Sequence, residues 1–163
     1  VTKNDNNSQH RYWLQRCIDL AEQQSRTPGG GPFAALVVHA GELVAEGVNQ
    51  VTGSNDPTAH AEVVAIRNAC AQRNDFQLAG CVLYSSCEPC PMCLGAIYWA
   101  RPDAVYYAAT HAQAAKAGFD DSFIYEQIPL PGPERSIPFH PVALDSAEAP
   151  FDAWLANGER RDY

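Results

Sequence analysis

The chain has 163 residues, 46% of them hydrophobic, and a formal net charge of −8 from 19 acidic against 11 basic side chains. That length suits one domain with a sizeable core, and apolar runs such as Phe33 to Val38 fall far short of a bilayer span, so no membrane partner is expected. The few basic residues are scattered, with Arg160-Arg161 the only adjacent pair, which argues against a nucleic-acid partner and for a small free substrate.

Residues 1–9, VTKNDNNSQ, lack the basic-then-apolar layout of an export signal. The expectation is a cytoplasmic protein with a mobile tail over residues 1–8, whose six cysteines are metal ligands or buried thiols rather than disulfides. Ser8 to Gln24 carries Tyr12, Trp13, Cys17, Ile18, Leu20 and Ala21 at helical spacing and reads as the first helix. Thr27 to Pro32, rich in glycine and proline, ends it as a loop. Phe33 to His39 reads as a buried strand, with Leu43 to Asn49 its hairpin partner through Ala40-Gly41-Glu42.

The polar stretch Thr52 to Pro57 leads to a helix from about Ala59 to Gln72, with Thr58 as N-cap and His60 and Glu62 in the first turn. Cys81 to Ser85 is the next strand. Pro91 suits the first turn of a helix running to about Ala100, which puts Cys90 and Cys93 at its positive end, where the dipole favours thiolate. Ala104 to Ala109 is a fourth strand, Ala112 to Ala117 a short helix, and residues 119–128 a turn and another short helix. Pro129 to Pro133 reads as an extended connector, Ile137 to Leu144 as a fifth strand held to an edge by Pro138 and Pro141, and Pro150 to Asn157 as a last helix. Strands alternating with helices predict an α/β fold, a single domain over residues 1–163 with a largely parallel or mixed five-stranded sheet covered on both faces.

The chemistry is concentrated in two motifs. His60-Ala61-Glu62 is followed by Pro89-Cys90-Pro91-Met92-Cys93, which together supply one imidazole and two thiols. Three protein ligands on a tetrahedral zinc leave the fourth position for water, the layout of a catalytic site. H-x-E…P-C-x-x-C is the known pattern of zinc-dependent nucleobase deaminases. In that chemistry a zinc-bound hydroxide attacks a ring carbon bearing an amino group, and Glu62 shuttles protons from the water to the ring nitrogen and the leaving amine. Without Glu62 an amide anion would have to depart. One Zn2+ per subunit is expected. The alternative from a different class is a structural zinc module closed by His60, Cys87, Cys90 and Cys93, since Cys87-Glu88-Pro89-Cys90 is itself a C-x-x-C. It requires Cys87, which precedes the helix, to fold back.

Cys17, Cys70 and Cys81 lie in apolar patterns and read as core thiols. His111 follows the fourth strand and suits either a pocket or the surface. Phe33, after a glycine-rich loop, is well placed to stack on a base, and Asn49, at the end of a strand, to hydrogen-bond a heterocycle; core packing and a turn are the alternatives.

Asn55 to Glu62 and Ser86 to Cys93 resemble the cytidine-deaminase-like superfamily, and the resemblance to its bacterial guanine deaminase branch extends through Gly95 to Pro102 and Ala117 to Tyr125 to the terminal Tyr163. The resemblance implies a three-layer α/β/α fold and hydrolysis of guanine to xanthine and ammonia in purine catabolism. It implies a homodimer whose C-terminal segments, about residues 129–163, are exchanged between subunits. By the same resemblance His60, Cys90 and Cys93 match the zinc ligands, Glu62 the proton shuttle, and Phe33, Asn49, Ala61, Asp121 and Tyr163 the substrate pocket, with Trp99 near the dimer contact. Guanine presents a ring N–H and an exocyclic amine, both donors, so acceptor carboxylates are expected; Asp120, Asp121 and Glu126 supply three in a short stretch. Ala34 stands where many superfamily members have glycine. An aminotriazine or a tRNA adenosine is the alternative substrate; a mapped basic groove would favour the latter.

Overall fold

In a computed structural model describing residues 3–163, with side chains from residue 7 onward, four strands form one sheet. They are β1 (Ala34–His39), β2 (Glu42–Val48), β3 (Cys81–Cys87) and β4 (Ala104–Ala109), in the order β2-β1-β3-β4. The β1–β2 and β1–β3 pairs are antiparallel, and β3–β4 is parallel. Ala40 and Gly41 both have positive φ, 50° and 84°, the backbone of a two-residue hairpin turn whose twist suits the flanking strands.

The strand period of two divides the core. Ala35 and Val37 of β1 and Leu83 of β3 face a cluster built on Ala61, Ala65 and Ala69 of α3 (Ala61–Arg73) and Ile97 and Ala100 of α4 (Pro91–Ala100). Leu36 and Val38, with Tyr84, face Trp13 and Cys17 of α1 (Lys3–Ser25). Helices cover both faces of the sheet, so this part of the chain is the expected three-layer α/β/α arrangement. The α3 face is alanine at every fourth position, which allows close approach to the sheet. Gly47 of β2 marks how close: a Cβ there would lie 2.3 Å from the Ala61 carbonyl oxygen and the Ala65 nitrogen.

The chain divides into two compact units, one ending at Asp121 and one spanning Ser122–Tyr163. In the first, a four-residue helix α2 (Val51–Ser54) precedes α3, and α5 (His111–Lys116) follows β4 behind a capping box formed by Thr110 and Gln113. The second contains α6 (Ser122–Gln127), a 3-10 turn at Gly132–Glu134 and α7 (Ala149–Ala156). Within it the Arg135 guanidinium donates to the Leu130 and Ile128 carbonyls and lies over the Phe139 ring.

Three expectations need correction. The sheet has four strands among the described residues, not five, because residues 137–144 are irregular: Pro138 and Pro141 lack the N–H groups a ladder needs. Residues 3–8 of the expected mobile tail belong to α1, and Val1 and Thr2 lie outside the described residues. Pro129 to Pro133 is not uniformly extended, since the 3-10 turn begins inside it. No described helix is long and apolar enough to cross a membrane.

Candidate active site

The site is assembled from two helix starts and the strand between them. His60 is the N-cap of α3 and Cys90 the N-cap of α4; both are extended, with ψ of 154° and 169°, which turns the chain sharply into each helix. Thr58, the expected cap of α3, instead donates its hydroxyl to Asp56 at 2.7 Å. Neither helix has a side-chain hydrogen bond at its N-cap. The two capping side chains are turned toward one another.

His60 Nδ1 lies 3.5 Å from both Cys90 Sγ and Cys93 Sγ, and one ligand atom from each of the three residues falls within 4.8 Å of the others. Tetrahedral bonds of about 2.3 Å to sulfur and about 2.0 Å to nitrogen would separate such donors by about 3.5 Å, so the set fits zinc in chemistry and in spacing. Cys90 is held down to about 4 by the Cys93 thiol donating to it, with the His60 bond adding to the effect. Cys93 is pushed up by holding that shared proton and by burial, and His60 is raised by its bond to Cys90. A divalent cation competes for these same lone pairs. Cys87 stands apart: its Sγ lies 3.8 Å from the Thr110 carbonyl, and it is absent from the described three-donor cluster.

Glu62 is only 6% exposed. Its Oε2 lies 3.4 Å from Cys93 Sγ and its Oε1 accepts from Ser85 Oγ at 3.0 Å. Burial raises its carboxyl above the ordinary range, which suits a group that must both take and give a proton. Ser85 was not anticipated from the sequence. The signal was there, two serines inside the apolar strand Cys81–Cys87, but which face each occupied depended on strand pairing.

The other anticipated residues are placed as follows. Phe33 is half-buried, its ring meeting Phe119 edge-to-face at 4.9 Å. Asn49 Oδ1 accepts from the Val51 N–H at 3.3 Å, which leaves the amide nitrogen as the group to donate. Gly31 makes room for that carboxamide, since a Cβ there would meet Cγ and Oδ1 at 2.9 Å. Ala61 is fully buried in the core against the sheet, so only its backbone is left to contact a ligand. Asp121 is half-buried and contributes to raising Cys87 to about 11, after burial, Glu62 and Glu88. Asp120 is exposed. His111 is at the surface, paired with Glu88 at 2.9 Å. Trp99 lies on α4 and is 63% exposed. In the second unit Glu126 is exposed on α6, and the Tyr163 ring lies edge-on to Trp154 at 6.3 Å.

Residues 7–109 match the family model of the cytidine and deoxycytidylate deaminase zinc-binding region. The chain is 56% identical to the guanine deaminase of Bacillus subtilis (strain 168), over 94% of its own length and 99% of that protein's. The X-ray structure of a Bacillus subtilis guanine deaminase superposes with a TM-score of 0.93, covering 94% of this chain and 98% of that one. A guanine deaminase structure from Nitrosomonas europaea gives a TM-score of 0.64 at 32% identity, covering 67% of this chain and 63% of that one. The tRNA-specific adenosine deaminase of Aquifex aeolicus (strain VF5) is 42% identical over a shorter stretch, 60% of this chain and 64% of that protein.

Proposed function

The chain belongs to the family of zinc-dependent cytidine and deoxycytidylate deaminases, and from that premise we propose that it is a hydrolase converting guanine and water to xanthine and ammonia. The observation that carries the chemistry is the buried Glu62 carboxylate set 3.4 Å from one sulfur of the His60, Cys90, Cys93 cluster. Guanine is favoured among amino-heterocycles because the likeness to a guanine deaminase runs through nearly the whole chain, whereas the likeness to a tRNA deaminase covers 60% of it.

His60, Cys90 and Cys93 would hold a zinc ion, which would supply Lewis-acid activation of a water, lowering its pKa toward about 7. Glu62 takes a proton from the attacking water as it adds to the carbon carrying the amino group. The same carboxyl returns a proton to the adjacent ring nitrogen and serves the amine as it leaves as ammonia. Phe33 stacks on the purine, and the Asn49 amide nitrogen donates to an acceptor on the ring. Asp121 accepts from the ring N–H and the exocyclic amine, with Asp120 and Glu126 further carboxylates of the same stretch. The Ala61 backbone lines the base.

The active species is a homodimer exchanging the C-terminal segment, so that the partner's Tyr163 closes the pocket and Trp99 borders the contact. In support, Trp99 and Tyr98 of α4 are exposed aromatics, and the second unit exposes Ile137, Val142, Phe151 and Leu155 by more than half.

Ammonia release from guanine, adenine, cytosine, cytidine and one aminotriazine, with wild type beside Glu62→Ala and zinc measured in each, tests the reading. Guanine turnover that disappears in a variant retaining its zinc is the expected result. Zinc-loaded wild type that releases nothing from any free base would overturn it.

A further inference from the structure

Ser85 belongs to no zinc or base-binding motif, yet it is 1% exposed and in direct contact with the residue that moves protons. A serine hydroxyl has one proton to give and two lone pairs to accept with. The Cys87 N–H, at 3.4 Å, points at the Ser85 oxygen and engages a lone pair. The hydroxyl proton is then directed to Glu62 Oε1 at 3.0 Å. This fixes a division between the two carboxylate oxygens: Oε1 is held from the strand, and Oε2 faces the Cys93 sulfur at 3.4 Å.

We propose that Ser85 is a positioning residue for the deamination, pinning Glu62 Oε1 so that Oε2 alone exchanges protons with water and substrate. The proposal rests on the functional reading above. Burial gives it force, because a carboxylate only 6% exposed is oriented chiefly by the protein's own donors, and free rotation would spread its reactive lone pairs over arrangements that miss the substrate. The neighbouring Ser86 supplies a built-in contrast. Its hydroxyl accepts from the buried Ala34 N–H at 3.0 Å, a bond within the sheet.

The experiment compares Ser85→Ala, Ser85→Thr and Ser86→Ala with wild type, measuring kcat and KM on guanine, zinc per chain and Tm. Ser85→Ala should lower kcat roughly tenfold or more with KM and zinc content unchanged, because Glu62 acts in the chemical step rather than in binding. Ser85→Thr, which keeps the hydroxyl, should recover most of that kcat. Ser86→Ala should lower Tm without the selective loss of kcat. In a Glu62→Ala background, Ser85→Ala should change the residual rate no further. A Ser85→Ala enzyme with wild-type kcat overturns the proposal, as does a loss that appears equally in kcat and in zinc content, or one that persists undiminished in the absence of Glu62. Zinc-loaded wild type inactive on guanine would instead overturn the functional reading, and this proposal with it.

Discussion

Three residues form the candidate metal cluster and a third sulfur, a possible fourth ligand, is nearby in sequence, so the distinction between a catalytic and a closed structural site comes down to Cys87. Its thiol is turned to the Thr110 carbonyl, 3.8 Å away, and it lies outside the cluster that His60, Cys90 and Cys93 form among the described residues. Cys87→Ala should therefore leave about one zinc per chain, while Cys90→Ala should lose most of it, as read by metal analysis after dialysis. Equal loss in both variants would point to the closed site. Glu62 and the three donors were legible in the sequence because their spacing is local and their chemistry is narrow. Ser85 was not, because serine in a strand carries no such restriction and its role depends on which face of β3 meets α3.

At the level of elements, what positions the site is the fit of α3 against β2. Gly47 faces the first turn of that helix, where a methyl group would meet backbone atoms at 2.3 Å that have no side-chain freedom to yield. Gly47→Ala should destabilise the protein by about 2–3 kcal/mol or more, seen as a lower midpoint in denaturant. It should also reduce activity, because the displaced turn carries His60 and Glu62; unchanged stability would show that α3 rides on the sheet more loosely than described. Most elements matched their sequence patterns: α4 starts at Pro91 and β4 spans Ala104–Ala109 as expected. The misses have physical causes. Val51–Ser54 contains a glycine and makes one short turn, too brief for a helical period to register. Residues 137–144 are largely apolar, but Pro138 and Pro141 cannot donate to a ladder, and a strand also requires a neighbour, which cannot be read from the segment alone.

For the molecule as a whole, the exposed apolar side chains of α4 and of the second unit bear on assembly. Sedimentation of the zinc-loaded protein should give twice the mass of one chain, and a clean monomer with full activity would exclude the exchanged dimer. The fold of the first unit was largely legible, since alternation along β1 divides its side chains between two helical layers. The quaternary arrangement was suggested only by resemblance, as nothing in the periodicity of residues 122–163 specifies which chain they serve. One feature of the site reaches beyond catalysis. His60 and Cys90 occupy the capping positions of their helices yet give no side-chain hydrogen bond to them, so a metal held by the two would join the starts of α3 and α4. Zinc bound there would fasten two chain reversals distant in sequence, and stripping it should speed amide deuterium uptake at residues 61–64 and 92–94 well before the sheet loses protection. Uniform uptake across the chain would mean that the metal governs global stability instead.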